Sequence, residues 1–148
     1  MSRASRLANH IERTVTGPMW HGPALKDVLD GVDAARARAR PIAGAHSIWE
    51  IVLHVAAWAD IARQRIHGEC LGDPAPEQDW PPAGGDWPQV IERLTESHRR
   101  LADDVRQLDD AALDAKVKTL DYPVGILLDG VVEHGTYHGG QIALLKKA

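Results

Sequence analysis

Apolar residues return every three or four positions through four separate long stretches of this chain, and the strict alternation of a half-buried strand is almost absent. From about residue 3 to 16, Ala4, Leu7, Ile11 and Val15 share one face, and Gly17-Pro18 ends the pattern. Ser47-Ile48-Trp49-Glu50 reads as a capping box, in which the hydroxyl and the carboxylate each satisfy an otherwise unpaired amide. Behind it come Ile48, Ile51, Val55, Trp58 and Ala62, fading at His67 and Gly68. Asp86 with Gln89 predicts a second capping box, followed by the stripe Trp87, Ile91, Leu94, His98, Leu101, Val105 and Leu108. The last stretch runs from about 124 to 146, with Leu127, Val131, His134, His138, Ile142 and Leu145 on one face. Shorter helical pieces are expected near 24–30 and 33–39; residues 109–123 are mixed, and only 117–122 admits an extended reading. Four striped helices without a sheet can bury their apolar faces only against one another, so the expected fold is an all-α four-helix bundle.

The connections constrain the order of those helices. Residues 68–85 hold Pro74, Pro76, Pro81 and Pro82 with several glycines and no period, so they read as a loop. At up to about 3.3 Å per residue this segment can cross a bundle whose helices are roughly 31 Å long. The second and third long helices are therefore free to run in the same direction, and an up-down-down-up order is expected. With 148 residues, the chain is expected to form one domain over 1–148.

Composition removes several function classes. Hydrophobic residues are 44% and charged residues 26%, an ordinary globular mix. A formal charge of -4 argues against a nucleic-acid footprint. No apolar run approaches the roughly 18 residues of a membrane span, and Met1–Val15 lacks the apolar core of a secretory leader. One cysteine, Cys70, allows neither an intramolecular disulfide nor a thiolate zinc finger, and a cytoplasmic location is expected. The short basic cluster Arg36, Arg38 and Arg40 reads as a solvated helix end, with a phosphate site as the alternative.

The eight histidines carry the chemistry. His134 and His138 are four apart, so a helix sets both imidazoles on one face about a turn apart. That face is apolar, so both rings must find partners, and a divalent ion would satisfy the two together. His54, three after Ile51 and four before Trp58, also points inward. Three inward histidines on two helices match a catalytic metal pattern: three protein ligands and one open position. The competing reading is three core histidines, each satisfied by a carbonyl or water. His98 lies on the third stripe as a fourth ligand, a base behind the ligands, or a polar core residue. His46, about 12 Å along the axis from His54, is excluded from the same ion. His67 is expected in solvent, His10 on the outer side of its helix, and His21 in a loop. No G-x-S-x-G turn and no phosphate-binding glycine loop is present. Gly139-Gly140 instead suggests close helix packing, and Cys70 an incidental thiol. Among Glu133, Tyr137 and Gln141, spacing does not select which one orients a ligand.

Three stretches carry a family resemblance: Gly17-Pro18-Met19-Trp20-His21-Gly22-Pro23, Ala45-His46-Ser47-Ile48-Trp49-Glu50-Ile51-Val52-Leu53-His54-Val55, and Gly130-Val131-Val132-Glu133-His134-Gly135-Thr136-Tyr137-His138-Gly139-Gly140-Gln141-Ile142. With these the chain resembles the DinB/YfiT-like superfamily over its whole length. The resemblance implies an up-down-down-up four-helix bundle and a divalent metal on His54, His134 and His138, with zinc or nickel suited to imidazole. It implies a metal-dependent enzyme acting on a small-molecule substrate. A hydrolase comes first; a thiol-dependent S-transferase and a non-catalytic metal- or ligand-binding stress protein are the alternatives. A homodimer is also expected, since related proteins often pair, with Trp80 and Trp87 beside the proline-rich loop as candidates for exposure.

Overall fold

The computed structural model describes residues 1–148 and contains eight helices: α1 (Arg3–Thr16), α2 (Leu25–Leu29), α3 (Ala34–Arg38), α4 (Ile48–Ile66), α5 (Pro76–Asp79), α6 (Trp87–Val105), α7 (Asp110–Asp114) and α8 (Val124–Lys147). There is no strand; where an extended stretch was expected at 117–122, only an isolated bridge joins Lys116 and Pro123. None of the helices is long and apolar enough to cross a membrane.

Local chemistry explains where the long helices begin and end. The Ser2 hydroxyl accepts from the Ser5 amide at the start of α1. At the other end the Gly17 amide still bonds to the Arg13 carbonyl, and its φ of +73°, which glycine adopts without a Cβ clash, turns the chain out of the helix. The capping box of α4 forms as expected: Ser47 Oγ accepts from the Glu50 amide at 3.2 Å, and Glu50 Oε2 accepts from the Ser47 amide at 2.8 Å. The box expected at Asp86 does not form, since Asp86 makes no side-chain cap bond. Pro88 occupies the second helical position and has no N–H, and Asp86 leaves the Gln89 amide, the one a capping box would use, without a side-chain acceptor. Burial of Trp87 fixes that terminus instead, its Nε1–H donating to the Val32 carbonyl at 2.8 Å. Trp87 is thus a core residue, and the fully exposed tryptophan is Trp20.

Two apolar clusters fill the bundle. One gathers Val15, the first half of α4, Trp87, Val90 and Leu94 of α6, and Ile142 and Leu145 of α8. The other gathers Ala4, Ala8 and Ile11 with Ala59, Ala62, Leu101, Val105, Leu127 and Leu128. Trp49 at the start of α4 packs on Trp87 at the start of α6, with ring centroids 5.1 Å apart. Arg63 near the end of α4 pairs with Asp104 near the end of α6 at 2.6 Å. Start meets start and end meets end, so α4 and α6 lie side by side in one direction. Trp49 is completely buried; truncating a core aromatic of this kind costs about 3–5 kcal/mol.

Unlike the others, α4 is buried on nearly every side, from Ile48 and Trp49 through Ala62. The cluster Arg36, Arg38 and Arg40 helps to enclose it. Arg36 donates to the Lys146 and Ala148 carbonyls at the end of α8, Arg38 sits 4.3 Å over Trp49, and Arg40 pairs with Glu50. Arg38 and Arg40 are exposed, as expected of a solvated helix end, and the contacts of all three arginines tie α3 to its neighbours.

Close approach of α1 to α8 occurs at Gly135. A Cβ there would lie 2.5 Å from Thr14 Cγ2, and Thr14 is itself buried with its hydroxyl bonded to the His10 carbonyl. Of the pair expected to permit close packing, Gly139 faces Leu25 at 3.3 Å and Gly140 faces open space.

Candidate metal centre

His54 comes from the middle of α4, and His134 and His138 from successive turns of α8. Their candidate ligating atoms all lie within 4.8 Å of one another, and no further histidine, cysteine or carboxylate belongs to the group. His134 Nε2 and His54 Nε2 are 2.9 Å apart. The rings of His134 and His138 meet edge to face at 4.5 Å, as helical residues four apart should.

Hydrogen bonds behind the cluster orient two of the rings. His54 Nδ1–H donates to the Asp79 backbone carbonyl at 2.6 Å. His138 Nδ1–H donates to Gln141 Oε1 at 2.6 Å, and Gln141 Nε2 in turn donates to the Tyr137 hydroxyl at 3.1 Å. With Nδ1 serving as the donor, the lone pair of each ring rests on Nε2. This is the arrangement that metal-ligating histidines adopt, and it selects Gln141, one turn beyond His138, as the orienting residue. Glu133 points to solvent. The residues therefore fit a divalent ion: three convergent imidazoles, two with their tautomer set from behind.

All three rings are held below the ordinary histidine pKa, chiefly because burial disfavours the imidazolium. His134 is the most affected, down to about 3, with repulsion from His138, His54 and His98 adding to burial. At neutral pH the cluster is uncharged and offers lone pairs, which is the state a metal requires.

The loop after α4 supplies what periodicity did not disclose. Asp79 ends the short helix α5 and brings more than its carbonyl: its Oδ1 accepts from Trp58 Nε1 at 2.7 Å and lies 3.4 Å from His54 Nδ1. Trp80 lies flat on His54 at 3.7 Å and flat on His46 at 3.6 Å. Two rings can meet one indole this closely only from opposite faces, so Trp80 is sandwiched between them. It is partly buried, not an exposed ring. His46 stays outside the three-histidine cluster, as its spacing required, yet becomes part of the wall.

The remaining histidines separate cleanly. His98 is not a ligand: it is 1% exposed, its Nδ1 bonds to the Leu94 carbonyl at 2.9 Å, and its Nε2 has no partner. Burial holds its pKa down to about 4. His67 is exposed, as expected, and bonds to Asp104 at 2.7 Å. His10 is exposed, and His21 is an exposed loop residue near the Pro23 carbonyl.

Two cavities border the cluster. One, about 450 Å³, runs along His54, His134, Trp58 and Asp79 toward Arg65 and Tyr122. The other, about 410 Å³, is lined by His138, His46, Trp80, Tyr137 and Gln141. Cys70 lines neither cavity; its thiol is 4.0 Å from the Gly72 carbonyl. Sequence reasoning missed Asp79, Trp80 and Tyr122, which sit in aperiodic segments. It passed over Arg65 despite a legible signal: a charged residue seven places after Trp58 on an inward stripe.

The chain matches no curated protein and no solved structure. The family model of the DinB superfamily matches residues 20–142, a span holding all three clustered histidines, the Asp79-Trp80 step and most of the bundle. On that match, the chain belongs to the DinB superfamily.

Proposed function

We propose that this protein is a metal-dependent hydrolase of small molecules, with zinc or nickel held by His54, His134 and His138. The observation that carries the reading is the pair of outward Nδ1–H bonds, to the Asp79 carbonyl and to Gln141 Oε1, which leaves Nε2 lone pairs converging beside two cavities. A divalent ion held there would supply Lewis acidity and a positive charge that favours an anionic nucleophile at neutral pH. The chain contributes orientation. Asp79 and Gln141 hold two ligand rings, Trp80 blocks rotation of His54, and Trp58, Leu127 and Val131 keep the larger cavity apolar. No serine, threonine or cysteine lines either cavity, and the one lining carboxylate, Asp79, is engaged by Trp58 Nε1, which favours an attacking group from outside the chain.

A second reading, thiol-dependent S-transfer, is favoured by one observation: separate cavities reach the cluster from the His134 side and the His138 side. That plan suits two reactants meeting at one centre. Two assays on zinc- and nickel-loaded protein decide between them: hydrolysis of an ester and amide panel, and adduct formation between cellular thiols and electrophiles. His138→Ala should abolish whichever activity is real. Activity unaffected by that change, or none in either assay, would leave the non-catalytic metal-binding reading.

A further inference from the structure

Arg65 is the only arginine, lysine, aspartate or glutamate that is buried in the molecule, at 6% exposure. Its guanidinium carries five N–H bonds and a permanent charge. Two of those bonds are used: Nη1–H donates to the Tyr122 hydroxyl at 3.2 Å, and Nη2–H donates to the Gly72 carbonyl at 3.1 Å. Nε–H is buried with no partner. Both acceptors are neutral, and no carboxylate forms an ion pair with Arg65, although thirteen ion pairs are formed elsewhere in the chain. A buried cation without a counter-charge costs several kcal/mol, which makes it unexpected in a purely structural role.

Its position gives the cost a use. Arg65 closes the far end of the 450 Å³ cavity whose near end is formed by His54 and His134. Trp58 spans the interval: its ring centroid is 5.9 Å from that of His134 and 5.4 Å from Arg65 Cζ. Between the two ends the walls are apolar, with Leu127, Val131 and Ile126. Asp79, the other charged lining residue, sits at the histidine end and is engaged by Trp58 Nε1.

We infer that Arg65, with the Tyr122 hydroxyl, is the seat for the anionic end of an elongated, otherwise apolar substrate that carries a single carboxylate. The guanidinium fork retains one free N–H on each terminal nitrogen, a spacing that a planar carboxylate matches. The Tyr122 hydroxyl accepts from Arg65 and so keeps its own proton to donate to the same anion. One uncompensated positive charge at this end and a carboxylate at the other select a monoanion over a dianion. The substrate class rests on the metal reading for which end reacts, whereas the anion seat itself does not depend on it.

The test uses the full-length protein, metal-free and zinc-loaded, titrated by calorimetry with octanoate and with its neutral counterpart octanamide. The arginine Nε–H resonances are followed in parallel by nitrogen-edited NMR. Octanoate should bind at least tenfold tighter than octanamide in both forms, with the Arg65 Nε–H resonance shifting at saturation. Arg65→Gln should bring the ratio near one, and Arg65→Lys should retain part of it. If Arg65→Gln unfolds, Ile126→Glu serves instead. It places a negative charge on the exposed wall of the cavity and should weaken octanoate more than octanamide, lowering the ratio between them. A ratio near one in the wild type, an unchanged ratio in Arg65→Gln or Ile126→Glu, or octanoate binding that leaves Arg65 unshifted would overturn the assignment and make Arg65 a clamp on Gly72 and Tyr122 only. Failure to take up zinc would sink the metal reading alone, because the metal-free comparison still decides the anion seat.

Discussion

Trp80 lies face to face with His54, 3.7 Å between ring centroids and 5° from parallel. An aromatic from the aperiodic connection between α4 and α6 thus sets the plane of a ring on the most buried helix of the bundle. His46 closes the stack from the other side at 3.6 Å. Stacked rings of this kind contribute about 0.5–1.5 kcal/mol beyond their burial. Trp80→Ala should therefore weaken zinc binding roughly tenfold, and Trp80→Phe should restore most of it. Competition with a chromogenic chelator measures both; equal affinity in all three proteins would show that the stack does not position His54.

Removal of the ligands themselves should be far more severe. The His134→Ala/His138→Ala double variant should lose stoichiometric metal, read by elemental analysis after gel filtration. It should also lose the rise in thermal midpoint that zinc produces in the wild type, about 2.7 kcal/mol of stabilisation at a hundredfold excess over Kd. Full metal retention by the double variant would refute the assignment.

Gln141 acts through His138, not on a ligand directly. Gln141→Leu removes the acceptor of His138 Nδ1–H and frees that ring to change tautomer. Metal affinity should drop about 10- to 100-fold, the usual cost of losing such an outer partner, with the helical circular dichroism unchanged. Tyr137→Phe, one bond farther out, should have a smaller effect on the same titration.

Acid stability should report His98. Its pKa is about 4 in the folded protein against an ordinary 6.5, because burial penalises the charged ring. The unfolded chain therefore takes up a proton first as pH falls. The stability conferred by the neutral ring is complete above pH 6.5, is lost progressively toward pH 4, and stays lost below it, amounting to roughly 3 kcal/mol. Urea melts of metal-free protein from pH 7 to 4 should show a shallower slope in His98→Leu than in wild type. Parallel slopes would mean that His98 does not drive the acid response.

Gly135→Ala should destabilise the bundle by about 1–3 kcal/mol, since the new methyl would overlap Thr14 Cγ2 and force α8 away from α1. Because Gly135 adjoins His134, zinc affinity should fall as well. Gly140→Ala, facing open space, should leave both unchanged. Thermal melts and zinc titration of the two variants check the contrast.

Periodicity and capping are local relations between residues three or four apart, and so the four long helices could be read directly from the order of residues. The same locality put His134 and His138 side by side on one helix face and showed His54 on an inward face. Even the Ser47–Glu50 capping box needed no partner from elsewhere in the chain. Trp87 marks the limit of such reading: the signature at Asp86 and Gln89 was present, but no side-chain cap forms there and burial of Trp87 against Val32 anchors that terminus.

What lay beyond the sequence was every relation made through space by an aperiodic segment. Asp79 and Trp80 reach His54 from 25 and 26 residues away, and nothing in a proline-rich loop announces where it will land. Tyr122 reaches Arg65 across 57 residues in the same way. The choice of Gly135 over Gly140 for the tight helix contact likewise depended on which turn of α8 faced Thr14. The sequence by itself determined the helices and the three imidazoles, because backbone hydrogen bonding and amphipathic spacing are short-range. The tertiary structure alone decided which carbonyl, amide and indole hold those imidazoles, and that a lone buried cation closes the cavity beside them, because long-range contacts are set by packing, which has no period to read.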